Sequence, residues 1–204
     1  MYLSQLVLNE RERKIYQDLN NAHKFHQRIM QGFPDQDTAT PRQDWHILYR
    51  QEPDCLTILV QSAIAPDWER LPGGYLASAE VKSFDWSPAV LKPGTLYQFR
   101  LRANPSKRDS KTRKILALYK QTDQLNWLLN RAESFGFHCL AVDPIPVPNT
   151  YGKKANQPGR ISIHGVLFQG TLQVLDSDKF ISALTTGIGR GKSYGCGLLS
   201  IAKI

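Results

Sequence analysis

The sequence predicts an α+β protein of two successive β-α-β-β-α-β units, and three observations predict it. Short alternating apolar segments recur between amphipathic segments of 3.6-residue period, in the same order in both halves of the 204-residue chain. Cap residues and glycine stops bracket the amphipathic segments. A proline-bearing stretch, residues 87–93, separates the two series. A pair of such split repeats is the ferredoxin-like, or RRM-like, arrangement, here expected as one domain over 1–90 and a second over 91–204.

In the first half, residues 2–8 alternate and read as a strand. Asn20 or Asn21 caps a helix running to about residue 31, with Gly32 as its stop and Ala22, Phe25, Ile29 and Met30 as its apolar stripe. Residues 45–50 and 55–62 read as strands joined by the turn Glu52-Pro53-Asp54, followed by a short helical turn over 66–71 and a strand over 80–84.

The second half repeats the order. Residues 94–103 form a strand, and residues 122–135 a helix capped by Thr122 and ended at Gly136, with Leu125, Leu128, Leu129 and Ala132 facing inward. A strand over 138–145 leads to a polar projection over 146–160. Residues 161–175 are strand material interrupted at Gly170, 176–186 a helix, and 196–202 the last strand.

Composition limits what such a chain can do. An apolar fraction of 41% supports a folded core, and no run of 18 apolar residues exists to span a membrane. The first ten residues read as a strand and lack the basic start of a signal peptide. Three cysteines, Cys55, Cys139 and Cys196, without a close pair, argue against a disulfide framework or zinc knuckle and fit a reducing cytoplasm. The net charge of +8 is concentrated in three segments: residues 100–120 hold eight Lys/Arg against the single acid Asp109, while 149–160 and the last twenty residues each hold three cations and no acid. Clustered positive charge is the electrostatic footprint of a nucleic-acid binder.

Residues 187–197, GIGRGKSYGCG, place five glycines in eleven positions, where average usage of about 7% predicts fewer than one. A loop of this kind can turn successive N–H groups toward an anion, with Arg190 and Lys192 beside it. Gly191-Lys192-Ser193 echoes a nucleotide-binding P-loop, but the first glycine of that pattern falls at Thr186. The predicted helix–loop–strand order also reverses the strand–loop–helix context a P-loop needs.

Among the histidines, His46, His138 and His164 stand alone and read as structural. His23 and His26 lie three apart on the first predicted helix and are surface neighbours. No carboxylate or HExxH pattern accompanies them, so no metal or cofactor is expected. His26 borders the apolar stripe, which leaves packing and general acid–base work both open. Attack of a ribose 2′-OH on its adjacent phosphate needs a proton acceptor, a proton donor for the 5′-oxygen and cations around the phosphate, but no metal.

Four segments together resemble the CRISPR repeat-processing endoribonucleases of the CasE family, the type I-E member of the Cascade complex: MYLSQLVL (1–8), NAHKFH (21–26), FRLRANPSK (99–107) and GIGRGKSYGCGLLS (187–200). The resemblance implies two tandem ferredoxin-like domains and metal-independent cleavage of precursor CRISPR RNA at the base of each repeat stem-loop. It implies products with a 2′,3′-cyclic phosphate (or 3′-phosphate) and a 5′-hydroxyl, retention of the stem-loop by the enzyme, and association with the other Cascade subunits. His26 takes the catalytic place. His23 stands where some relatives carry tyrosine, and either transfers the second proton or positions RNA.

The RNA-binding candidates are then Lys24 and Arg28 on the histidine helix, and Arg100, Arg102, Lys107 and Arg108 along the stem. Lys153, Lys154 and Arg160 lie on the projection. Arg190, Lys192 and Ser193 lie in the loop shaped by Gly187, Gly189, Gly191, Gly195 and Gly197. A projection suits the deep, narrow major groove of A-form RNA, entered near a helix end. The competing reading is a non-catalytic scaffold that binds the same stem-loop, differing only in whether His26 acts chemically.

Overall fold

The protein is described here from a computed structural model covering residues 1–35, 40–54, 56–155 and 159–204. In chain order, the first half carries β1 (Tyr2–Leu8), α1 (Arg13–Leu19), α2 (Ala22–Met30), α3 (Pro41–Asp44), β2 (Leu48–Gln51), β3 (Thr57–Ser62) and β4 (Leu76–Ser83). Then come β5 (Leu96–Ala103), β6 (Ser106–Arg108), β7 (Ile115–Ala117), α4 (Gln121–Ala132) and β8 (Phe137–Pro146). The chain closes with β9 (Thr150–Lys153), β10 (Arg160–Ile163), β11 (Val166–Val174), α5 (Ser177–Thr186) and β12 (Leu199–Lys203).

Two compact units result. The first comprises Met1–Asp85, Thr150–Ile163 and Ser193–Gly195; the second comprises Trp86–Asn149, His164–Lys192 and Cys196–Ile204. The first unit thus ends at Asp85, five residues before the expected cut at residue 90, and two later segments, the β9–β10 hairpin and Ser193–Gly195, pack with it. Each unit is built on an antiparallel sheet with its first and third strands central: β2-β3-β1-β4 in one and β12-β5-β11-β8 in the other. Both are ferredoxin-like sheets.

In the first unit, α2 covers the sheet with Phe25 and Ile29, which join Leu6, Ile58, Val60 and Trp68 in the core. Burying each such side chain contributes about 1.5–3 kcal/mol. The second helix of the repeat is reduced to the 3₁₀ turn Trp68–Arg70. Asn21 caps α2, its side chain accepting from the His23 N–H at 3.1 Å. The same side chain accepts from the Lys153 N–H and donates to the Lys153 carbonyl, both at 3.2 Å, and so ties the β9–β10 hairpin to the helix start. The approach requires Gly152: a Cβ there would stand 2.9 Å from Asn21 Oδ1 and 3.0 Å from the Ala22 nitrogen.

The strand expected over 45–50 begins instead at Leu48. Pro41 starts α3, and His46, with φ of 50°, turns the chain before it extends. The helix α1 lacks a sequence signal because only Ile15 and Asp18 are buried on it. Cys55 and residues 156–158, inside an expected strand and the expected projection, lie outside the described residues.

In the second unit, α4 starts at Gln121 without a side-chain cap, so Thr122 is not its N-cap. Gln124, Trp127, Leu128 and Ala132 form its buried stripe, and Leu129, about 100° further round than Leu128, is exposed. The helix is followed by a 3₁₀ turn and ends at Gly136, left-handed with φ of 78°. Asp176 caps α5, its side chain accepting from the Lys179 N–H, while Ser177, the other residue able to cap there, is the first helical residue. Strand β11 runs unbroken through Gly170, where a Cβ would meet the Ala141 carbonyl oxygen at 1.9 Å. That glycine permits close packing rather than a break; the break falls at His164-Gly165. The β6–β7 hairpin was not expected, because its two strands are only three residues long and largely exposed, with no apolar alternation.

Candidate active site

The first unit gathers the two helical histidines and the segment Ser193–Gly195. Helix α2 turns Phe25 into the core and leaves His26 half-buried beside it. The Phe25 ring meets Tyr49 edge-on, with centroids 5.7 Å apart. Tyr49, from β2, donates its hydroxyl to the Ser193 carbonyl at 2.9 Å. The next residue, Tyr194, meets the His26 ring edge-on, with centroids 6.4 Å apart and planes at 78°. A closed chain of contacts thus runs from Phe25 through Tyr49, Ser193 and Tyr194 back to His26.

Both histidines keep a buried Nδ1 that has no hydrogen-bond partner among the described residues. Burial is the main cause that lowers the His26 pKa to about 4, with Arg42, His23 and Lys154 adding electrostatically. His26 is therefore neutral at neutral pH and able to accept a proton. Arg42, on α3, is braced by a 3.0 Å bond from Nη1 to the Ile47 carbonyl. Cations that disfavour an imidazolium also favour an incoming phosphate, so the surroundings suit a neutral base beside an anion.

The remaining expected cations fall into two groups. Lys24, Lys153 and Arg160 are exposed and Lys154 is half-buried; the Arg160 guanidinium lies over the Tyr151 ring, 4.5 Å from its centroid. Lys107, Arg108 and Arg190 are exposed and Arg100 is half-buried in the second unit. Three other candidates are engaged inside their own units. Arg28 donates from Nε to Asp18 at 2.8 Å and from Nη1 to Gln31 at 2.7 Å, and its guanidinium lies over the Tyr75 ring. Arg102 is buried, with Nη2 on the Pro148 carbonyl at 3.2 Å. Lys192 donates to the Thr186 carbonyl at 2.7 Å.

All five loop glycines, Gly187, Gly189, Gly191, Gly195 and Gly197, have positive φ. Several loop amides close the loop rather than point outward: Ile188 N–H donates to the Gly197 carbonyl, Cys196 N–H to that of Gly191, and Gly197 N–H to that of Arg102. The density of glycines therefore serves chain turns in the first instance. At Gly189, a Cβ would sit 3.0 Å from the Trp127 ring.

Arg42, Tyr49 and Tyr194 were missed by the sequence reading. Tyr194 lay inside the glycine-rich motif, so a signal existed; Arg42 and Tyr49 reach the site only through tertiary packing. Cys139 and Cys196 are buried with thiols pushed up to about 11 by burial, and are inert. Among the described residues, no three His, Cys, Asp or Glu side chains are grouped to hold a metal ion, and no helix is long and apolar enough to cross a membrane.

A family model described as CRISPR associated protein matches residues 1–203. The chain is 35% identical to the CRISPR-associated endoribonuclease Cse3 of Thermus thermophilus, across 99% of this chain and 100% of the relative. It is 30% identical to the CRISPR system Cascade subunit CasE of Escherichia coli K12, across 100% of both. A solved structure of the CRISPR endoribonuclease Cse3 bound to a 19-nucleotide RNA superposes with a TM-score of 0.86 at 32% identity, covering 99% of this chain and 100% of that one.

Proposed function

The chain belongs to the CasE family of CRISPR-associated endoribonucleases, and from that premise we propose that it cuts precursor CRISPR RNA at the base of the repeat stem-loop and stays bound to the product within Cascade. The observation that carries the proposal is the half-buried, neutral His26, flanked by Tyr194 and by the charges of Arg42 and Lys154.

His26 accepts the proton of the ribose 2′-OH as that oxygen attacks the adjacent phosphorus. The bond to the 5′-oxygen breaks, and His23, on the same helix face, gives a proton of its own to the leaving oxygen, while the proton taken from the 2′-OH stays on His26 until it passes to solvent. The products are a 2′,3′-cyclic phosphate (or the 3′-phosphate after its hydrolysis) and a 5′-hydroxyl. The charge that develops on the phosphate is met by Arg42 and Lys154, so no step calls for a metal. Lys153, Lys154 and Arg160 grip the stem from the hairpin, where only a projection reaches the groove of A-form RNA. Lys24, Lys107, Arg108 and Arg190 contact phosphates, which position the RNA without reading its sequence. The compartment is the cytoplasm, where the precursor RNA is made.

The test is cleavage of a labelled repeat stem-loop in EDTA, beside a matched RNA carrying a 2′-deoxy sugar upstream of the cut. The first is cut to a cyclic phosphate and a 5′-hydroxyl, and the second is bound uncut. Metal-dependent cutting, or cutting of the deoxy substrate, would refute the mechanism.

A further inference from the structure

Tyr119 is the most exposed of the large apolar and aromatic side chains described, at 73%. It is nevertheless held at its base. Its ring lies against His164, with centroids 4.6 Å apart and planes at 51°. His164 is itself fixed at both nitrogens, Nδ1 standing 3.0 Å from Asn149 Oδ1 and Nε2 3.4 Å from Gln124 Nε2. The buried Gln124 also donates to the carbonyls of Leu118, at 2.9 Å, and Tyr119, at 3.4 Å, fixing the backbone beneath the ring.

The position of this pair bears on its use. Asn149 immediately precedes the β9–β10 hairpin and His164 immediately follows it, so their bond joins the two feet of the expected stem-gripping projection. Tyr119 lies at the end of the basic segment 100–120, one residue before Lys120. Leu118 N–H bonds the Pro105 carbonyl below the β6–β7 hairpin, which carries the exposed Lys107, Arg108, Lys111 and Lys114, and exposed Lys120 follows directly. A large, exposed ring on a rigid base, next to Lys120 in the chain and tied by its neighbour Leu118 to the foot of a basic hairpin, combines the two elements that hold single-stranded nucleic acid: a π-face for a base and positive charge for its backbone.

We infer that Tyr119, backed by His164, is a stacking platform for an unpaired nucleotide flanking the stem-loop. This binding site lies outside the cleavage machinery, and the inference rests on the reading of the protein as a stem-loop binder. The stack is tolerant of base identity, because every base presents a π-face.

The experiment compares a bare repeat stem-loop with one carrying short unpaired flanks, both made uncleavable by a 2′-deoxy sugar at the cut. Wild type binds the flanked RNA more tightly; Tyr119→Ala loses about tenfold on the flanked RNA and little on the bare one, while Tyr119→Phe retains the gain. A 2-aminopurine in the flank is quenched by wild type and by Tyr119→Phe but not by Tyr119→Ala. Equal affinity of Tyr119→Ala and wild type for the flanked RNA overturns the platform, as it would if Tyr119 served a protein neighbour instead. Failure of wild type to bind even the bare stem-loop would sink the stem-loop reading and the platform with it.

Discussion

The His26 and Tyr194 rings meet edge to face, with centroids 6.4 Å apart and planes at 78°. Because the buried Nδ1 of His26 lacks a hydrogen-bond partner among the described residues, packing rather than a hydrogen bond sets the direction of the imidazole. An aromatic pair of this kind is worth about 0.5–1.5 kcal/mol. Tyr194→Ala should therefore lower kcat by up to about tenfold with little change in KM, and Tyr194→Phe, which keeps the ring, should remain near wild type. Single-turnover cleavage across an RNA concentration series separates the two parameters.

The pH dependence follows from the same residue. The free-enzyme pKa of His26 lies at about 4, below its ordinary 6.5, chiefly through burial. With His26 as the base, kcat/KM should hold through pH 6 and fall only as pH approaches 4, since that parameter reports the free enzyme. The linkage has a matching sign. The folded state resists a proton that the unfolded chain accepts, so His26 costs the fold stability as pH drops from 6.5 toward 4. Thermal unfolding of His26→Gln should be less acid-sensitive than wild type across that window.

Arg42 is the second cause of the lowered His26 pKa. Arg42→Gln should move the His26 titration upward, read by NMR of the imidazole protons, but leave it below 6.5 because burial remains the larger cause. The same change should slow cleavage more than it weakens binding, as a cation that meets charge developing on the phosphate acts mainly in the transition state.

The arginines divide by surroundings. Arg160→Ala should weaken stem-loop binding and reduce the slope of log affinity against log salt by about one unit. Arg28→Ala should behave differently: its partner Asp18 is 9% exposed, and removing one member of a largely buried ion pair costs about 3 kcal/mol of stability. Denaturant titration beside the salt series distinguishes the two, and a reduced salt slope for Arg28→Ala would contradict its structural placement.

Much of this was legible locally. The pairs Asn20-Asn21 and Asp176-Ser177 announced their helix starts to within one residue, Gly136 ended its own helix, and alternating residues marked most of the sheet strands, because each of these signals acts within a few residues. What was missed has no short-range signature. Helix α1 buries too little to show a stripe, and the β6–β7 hairpin, largely exposed, has no apolar alternation. Thr122 looked like a cap but lies inside the first turn of α4, and the packing of Arg28 against Asp18 and Tyr75 had no signal in the sequence. Arg42 and Tyr49 reach His26 and Ser193 only once the sheet has formed. The motif NAHKFH located the histidines; the neutrality of His26 depended on burial that no spacing encodes.

The most direct test of the central claim replaces His26 with alanine and measures cleavage and stem-loop affinity in the same preparation. Cleavage should fall by at least about 100-fold, with affinity for the uncut stem-loop nearly unchanged. Cleavage at the wild-type rate by a folded His26→Ala protein would contradict the assignment of the proton acceptor, and with it the mechanism proposed here.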